Sequence, residues 1–203
     1  MKLGIVNNSL GNVGSVYRAF DFFKHKVSFI NRPNDVKNHD ILILAGVGNF
    51  KTAVKKLKGY NLLEELNESV LVKKKPVIGI CLGMQLFADV SRESEENKGF
   101  GWLKGKVVKM KGESFRVPHI GWNSVNPLKY ELFKNIKDNM FYFMHSYHFV
   151  PEEKDIVVAT TKLGDFDIVS AVRKGNIIGV QFHPEKSQGD GLRFLKNCVE
   201  ELI

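Results

Sequence analysis

The chain has 203 residues, 43% of them hydrophobic and 26% charged, enough for one sizeable core and ordinary for a soluble globular protein. Its formal net charge is +8, but the lysines are scattered without interleaved aromatic residues, which gives little support to nucleic-acid binding. No apolar run approaches the roughly 20 residues of a membrane helix, and the two cysteines make neither a disulfide framework nor a zinc site. Met1-Lys2-Leu3-Gly4-Ile5-Val6 is too short and too soon polar for a signal peptide and reads as a strand. The expectation is one domain over residues 1–203, in a reducing cytoplasm, with no nucleic acid and no membrane among its partners.

Along the chain, Leu3 to Val6 reads as a first strand. Asn12 then opens a helix that carries Val16, Ala19, Phe20 and Phe23 at helical spacing. Val27 to Ile30 and Asp40 to Leu44 are strands, Phe50 to Leu57 and Leu62 to Val72 are helical, and Val77 to Ile80 is a strand from which a helix starts at Leu82. The wholly apolar ILIL and VIGI are what parallel strands buried on both faces look like. Past residue 100 the texture changes to short strands separated by turns: GKVVKM, FYFMHSYHFV, DIVVATT, IVSAVRKG and IIGVQFHP. An amphipathic helix from Gly189 to Leu202 closes the chain, with Leu192, Leu195, Val199 and Leu202 inward. The fold expected is α/β, an open, mainly parallel central sheet flanked by helices with an added antiparallel element.

In such sheets ligands bind outside the carboxyl ends of the strands, and two segments end there with glycines. Ala45-Gly46-Val47-Gly48-Asn49 can turn backbone N–H groups toward a ligand. Gly79-Ile80-Cys81-Leu82-Gly83 is the cysteine counterpart of a nucleophile elbow, with the thiol at a helix start and the Leu82 N–H free to stabilise an oxyanion. A cysteine nucleophile needs a base and the base an orienting group. In Gln181-Phe182-His183-Pro184-Glu185 an extended chain would put His183 and Glu185 on one face. Cys198, on the apolar face of the last helix, reads as core, and His25, His39 and His148 as surface or structural histidines.

These residues resemble the class I (triad) glutamine amidotransferases over the full length of the chain: GICLGMQ is similar to the nucleophile elbow, QFHPE to the His–Glu pair, and AGVGNF to the oxyanion loop. The resemblance implies Cys81 as nucleophile, His183 as base and Glu185 as its orienter, with Leu82, Val47 and Gly48 forming the oxyanion hole. It implies a glutamine pocket of Gly48, Gln85, His145, Ser146 and Tyr147. Ungapped counting from Gln85 adds Glu93 to that pocket, whereas a gapped match to Ser94-Glu95-Glu96 would add Glu96. Within the family, VPHIGWN, FYFMHSYHF and GVQFHPEKS resemble subunits that pass ammonia to a separate synthase, a (β/α)8-barrel cyclase in a heterodimer. Asn12, Trp122 and Lys186 fall where those subunits meet the partner. Neither metal nor organic cofactor is implied. Ala45 replaces a common proline of the family and Ser9 a common glycine. An ammonia supply to a sugar-amidinating synthase, or a stand-alone cysteine hydrolase, would share much of this pattern.

Overall fold

The apolar runs of the first half form the middle of the sheet. The computed structural model describes residues 1–7, 13–94, 96–112 and 115–203. Its first half runs β1 (Lys2–Val6), α1 (Val13–Asp21), β2 (Lys26–Ile30), α2 (Pro33–Lys37), β3 (Ile41–Gly46), α3 (Phe50–Gly59), α4 (Leu62–Asn67), β4 (Val77–Cys81) and α5 (Leu82–Gln85). The second half is mostly strand: β5 (Val90–Ser91), β6 (Asn97–Lys98), β7 (Gly105–Lys109), β8 (His119–Ser124), β9 (Asn126–Pro127), β10 (Met140–His145), β11 (Tyr147–Pro151), β12 (Val157–Leu163), β13 (Phe166–Lys174) and β14 (Ile177–Val180). The final helix, α6, spans Gln188–Glu200.

The main sheet has the order β2-β1-β3-β4-β14-β13-β12-β9. Its first five strands are parallel, and β13, β12 and β9 extend it antiparallel. This is the mainly parallel sheet with an antiparallel element that the sequence predicts. Two smaller sheets stand apart from it, β10 with β8 and β11-β7-β5-β6. Alternate residues of β3 serve opposite faces, as strand geometry requires. Ile41, Ile43 and Ala45 join α1 and α6 in one core, while Leu42 and Leu44 join α3 and α4 in the other. All six residues of β3 and all five of β4 are buried, so nothing but the ends of these strands is left to face a ligand.

Several boundaries differ from the sequence reading for local reasons. α1 ends at Asp21, because Lys24 turns the chain with φ +58°, so Phe23 lies beyond the helix. α2 is a single short helix started by Pro33, whose missing N–H is no loss at a first helical position. The predicted helix at 62–72 is α4 followed by a π-helical turn, Glu68–Val72. The helix expected from Leu82 is one turn long, which leaves little macrodipole behind Cys81. β14 stops at Val180, and Gln181 and Phe182 leave the sheet.

Candidate active site

Register places the expected reacting groups side by side. β3 and β4 pair so that Ala45 lies beside Ile80 and Gly46 beside Cys81, which brings Val47 and Gly48, the next two residues, past the thiol. Cys81 itself takes the unusual backbone angles φ +53° and ψ −107°. A non-glycine residue there holds strain on the order of 1–3 kcal/mol and persists only where its surroundings fix it. Those surroundings explain the flanking glycines, which do not supply the bend. A Cβ on Gly83 would stand 1.8 Å from the Leu44 carbonyl oxygen, and one on Gly79 would stand 2.5 Å from the Phe87 ring. Gly179 pairs with Gly79 on β14, and a Cβ there would strike Met84. The glycines let the turn after the cysteine press onto three strands, and the cysteine carries the positive φ.

A narrow cleft of about 50 Å³, room for a few water-sized groups, opens at this point. It is lined by Val47, Gly48, Cys81, Leu82, Gln85 and Glu93, with Met144, His145, Ser146 and Tyr147 opposite. All the pocket residues named from the resemblance are therefore gathered here. Of the two glutamates, Glu93 lines the cleft, and Glu96 is exposed and does not. Glu93 Oε2 accepts the Phe50 N–H at 2.7 Å, at the first residue of α3, and its carbonyl accepts the Tyr147 hydroxyl at 3.1 Å.

His183 and Glu185 meet as the sequence suggests, by a different backbone path. Pro184–Lys186 is a 3-10 turn, not extended chain. Nδ1 of His183 nonetheless lies 2.9 Å from Glu185 Oε1, and the two side chains are 2% and 4% exposed. The turn is clamped on three sides. The His183 N–H donates to the Tyr142 carbonyl at 2.8 Å, and Ser187 Oγ donates to the His183 carbonyl at 2.7 Å while accepting the Tyr142 N–H at 3.0 Å. His183 Nε2 is buried, and the group that acts on it is the Cys81 thiol. Burial alone would lower the imidazole's affinity for a proton. The charge on Cys81, with Glu185 behind it, more than reverses this and raises the His183 pKa.

Sequence reasoning passed over Gln181 and Ser187, although both lie within the quoted motifs. Gln181 is fully buried. It accepts from Gln85 Nε2 at 3.1 Å and directs its own amide N–H at Cys81 Sγ, 3.6 Å away. Gln85 Nε2 also donates to the Tyr147 carbonyl at 2.8 Å. That carbonyl can only accept, so the direction of the whole chain, Gln85 to Gln181 to sulfur, is fixed. Of the expected partner-facing residues, Asn12 lies outside the described residues. Trp122 is 45% exposed and meets Tyr142 edge-on, and the Lys186 ammonium stands 5.7 Å from the centre of the same ring. Cys198 is wholly buried, and burial pushes its thiol far up, which keeps it protonated and unreactive. His39 and His148 are buried too.

Two of the buried histidines, His145 and His148, make acid destabilising. Burial holds His145 at about 3 and His148 at about 4, below the 6.5 of an exposed imidazole. Between those limits the unfolded chain binds protons that the folded chain refuses, so the contribution of these two residues is full above pH 6.5 and falls as pH drops. That of His183, whose pKa is raised, is instead full below pH 6.5 and is lost as pH rises through its folded value. Each proton contributes a slope of about 1.4 kcal/mol per pH unit. Urea unfolding between about pH 6.5 and 5, where carboxylates have barely begun to titrate, should show this loss. His148→Phe should flatten the slope by about one proton, and an unchanged slope would refute the assignment.

A strained cysteine at a strand end, a buried imidazole–carboxylate pair and a narrow amide-sized cleft define a cysteine-dependent amide hydrolase on an α/β sheet. The family model for glutamine amidotransferase class-I matches residues 5–202, and the chain belongs to that family of glutamine-hydrolysing enzymes. Its relatives include the imidazole glycerol phosphate synthase subunit HisH of Pelagibacter ubique, 42% identical over 98% of this chain and 99% of that protein. The HisH of Pyrococcus furiosus is 43% identical over 97% of each chain, and HisH 1 of Methanococcus maripaludis 39% over 98% of each. Among solved structures, a glutamine amidotransferase superposes with a TM-score of 0.77 at 19% identity, over 97% of this chain and 98% of that one. PurLQS of Thermotoga maritima gives 0.74 at 18% identity, over 100% and 99%. At such identities the likeness is one of fold.

Proposed function

We propose that the chain is the glutaminase subunit of an imidazole glycerol phosphate synthase. It would hydrolyse L-glutamine to glutamate and ammonia and deliver the ammonia to a cyclase subunit, a (β/α)8 barrel, in histidine biosynthesis in the cytoplasm. The observation that carries this reading is the near-full-length identity of about 40% to HisH subunits, joined to a cleft holding Cys81 beside a charged imidazole pair.

In the mechanism, the Cys81 thiolate attacks the side-chain amide carbon, and the carbonyl electrons move onto oxygen. N–H groups of Leu82 and of the Val47–Gly48 segment stabilise that oxyanion. The raised pKa of His183 supports its role as acid, because an imidazolium beside the thiolate holds the proton that the departing ammonia needs. Its Nε2, the ring nitrogen that Glu185 leaves free to act at Cys81, is the one available for the transfer. Collapse of the intermediate breaks the carbon–nitrogen bond and leaves a γ-glutamyl thioester. His183, now neutral, takes a proton from water, which attacks the thioester and frees the thiolate. Glutamate leaves, with Glu93, Gln85 and the His145–Tyr147 segment having held its amino-acid end.

The partner would cover the apolar strip beside the cleft, where Ile120 and Trp122 on β8 and Met140 on β10 are 59%, 45% and 36% exposed, with Lys186 at its margin. Gly48 has φ +113° and open space around its α-carbon, so the Val47 peptide is free to turn its N–H toward the oxyanion or away. Docking is expected to favour the productive orientation. One oxyanion donor is worth about 10² to 10³ in turnover. Glutamate release by the purified chain should therefore rise by at least that order when the cyclase and its substrate are added. Lys186→Ala should reduce this stimulation more than basal turnover. Full activity in the lone chain would remove the gating and favour a free-standing hydrolase.

A further inference from the structure

Behind the cleft, a line of side chains runs from the surface of β12 to the substrate-facing loop. Asn123 Nδ2 lies 3.3 Å from the Lys162 carbonyl and 3.3 Å from His119 Nε2. His119 Nδ1 lies 3.1 Å from His145 Nε2, and His145 Nδ1 lies 2.9 Å from the Tyr147 carbonyl. The register pair His145 and His119, on β10 and β8, sets the two rings in contact. His119 is 9% exposed and His145 7%, and His119 stacks on Phe143 at 4.6 Å.

Both ends of this line terminate on backbone carbonyls, which only accept. From the Tyr147 end, His145 must carry its proton on Nδ1, its Nε2 must accept, and His119 Nδ1 must therefore donate. From the other end, the Asn123 amide is oriented by the Lys162 carbonyl and by the Ser124 N–H, which donates to Asn123 Oδ1 at 2.8 Å. Its Nδ2 then donates to His119, so His119 Nε2 must be bare. The two deductions, made from opposite ends, assign His119 the same tautomer. A second proton on either ring would set two donors against each other. Burial lowers the pKa of His119 and holds His145 at about 3, so both rings stay neutral at working pH.

We infer that His119 is a positioning residue for the glutamine pocket, which with Asn123 fixes the tautomer of His145 and so anchors the Tyr147 carbonyl that holds Gln85. The same carbonyl receives both the His145 N–H and the Gln85 amide, and Gln85 continues through Gln181 to the sulfur. His119 touches no substrate. Loss of its N–H leaves His145 Nε2 without a donor in a buried site, and the ring gains freedom to carry its proton on that nitrogen, with a bare Nδ1 facing the carbonyl. The loop then loses one of its two anchors. Because the cleft residues attached there hold the amino-acid end of glutamine, the effect falls on KM more than on kcat. The inference rests on the glutaminase reading for its kinetic consequence, and on hydrogen-bond geometry for the tautomers.

The test has a spectroscopic arm and a kinetic arm. Long-range nitrogen–proton spectra of the full chain with ¹⁵N-labelled histidine, between about pH 6 and 8, should show His119 and His145 both protonated on Nδ1 and bare on Nε2. In His119→Phe, which keeps the stacking ring, His145 should lose its single tautomer. KM for glutamine should rise about tenfold, the scale of one buried hydrogen bond, with kcat changed far less. His119→Asn places an amide N–H at the Nδ1 position and should recover most of the KM. Should His119→Phe fail to fold, Asn123→Ala reads the same chain and should also raise KM. An Nε2 proton on His145 in the wild type overturns the inference, and so does a KM within twofold in the ring-preserving variant or an asparagine no better than phenylalanine. If the wild-type chain releases no glutamate even with the cyclase and its substrate present, the glutaminase reading falls, and the tautomer spectra alone decide the relay.

Discussion

Cys81→Ala and Cys81→Ser are expected to abolish glutamine hydrolysis, while Cys198→Ser leaves it nearly intact. The contrast follows from two thiols of one chain in opposite settings. Cys81 stands at φ +53° at the end of β4, in the cleft, with the Gln181 amide directed at its sulfur. Cys198 is sealed in the core under α6, where burial keeps the proton on sulfur. Removing a covalent nucleophile leaves only the binding and oxyanion contributions, a loss on the order of 10⁴ or more in turnover. Serine does not substitute, because its hydroxyl is far less acidic than a thiol and a site built around thiolate and imidazolium does not deprotonate it. A glutamine-derived electrophile should label a single thiol, read by peptide mass. Label on Cys198, or residual turnover above a hundredth of wild type in Cys81→Ala, would remove Cys81 from the mechanism.

Much of the scaffold is legible because it follows from burial on both sides. β3 and β4 read as unbroken apolar runs, and such runs become central parallel strands wherever helices flank them. The amphipathic α1 and α6 show their buried stripes in the sequence for the same reason. β8 is different. His119, Ile120, Gly121, Trp122, Asn123 and Ser124 alternate between buried or half-buried and exposed, and pair with β10 alone. The segment therefore lacks the apolar run that marks a core strand. In the site, the cysteine, the histidine and the glutamate stand within short motifs and can be picked out. Their support cannot. Gln181 meets Gln85 across 96 residues and Ser187 meets Tyr142 across 45, and no local pattern encodes such contacts. The glycines around Cys81 illustrate the limit most clearly: spacing suggests a flexible bend, whereas their hydrogens make room for Leu44, Phe87 and Met84, which arrive from elsewhere in the chain or from the turn itself.

His183→Ala should reduce turnover by about 10² to 10⁴, the usual worth of a positioned general acid and base, and Glu185→Gln should reduce it less. His183 serves twice, giving a proton to ammonia and taking one from water, and the histidine that lines the cleft cannot replace it as acid at neutral pH, since His145 stays unprotonated at about 3. Glu185 transfers no proton. It receives the Nδ1 proton at 2.9 Å and so leaves Nε2 for Cys81, whose sulfur acts on the ring. A glutamine in its place can still offer an oxygen to Nδ1, but its amide can also flip and present N–H, which favours the wrong tautomer. The charge lost in Glu185→Gln also bears on pH. Burial lowers the His183 pKa while Cys81 and then Glu185 raise it. Removing the glutamate's share brings the pKa down, so His183 gives up its proton at lower pH and the alkaline limb of the kcat profile moves toward neutrality. The measurement is kcat for glutamate release across pH in wild type, His183→Ala and Glu185→Gln at saturating glutamine. If Glu185→Gln is as damaging as Cys81→Ala, or its alkaline limb moves upward, the carboxylate does more than orient the imidazole and the assignment of roles fails.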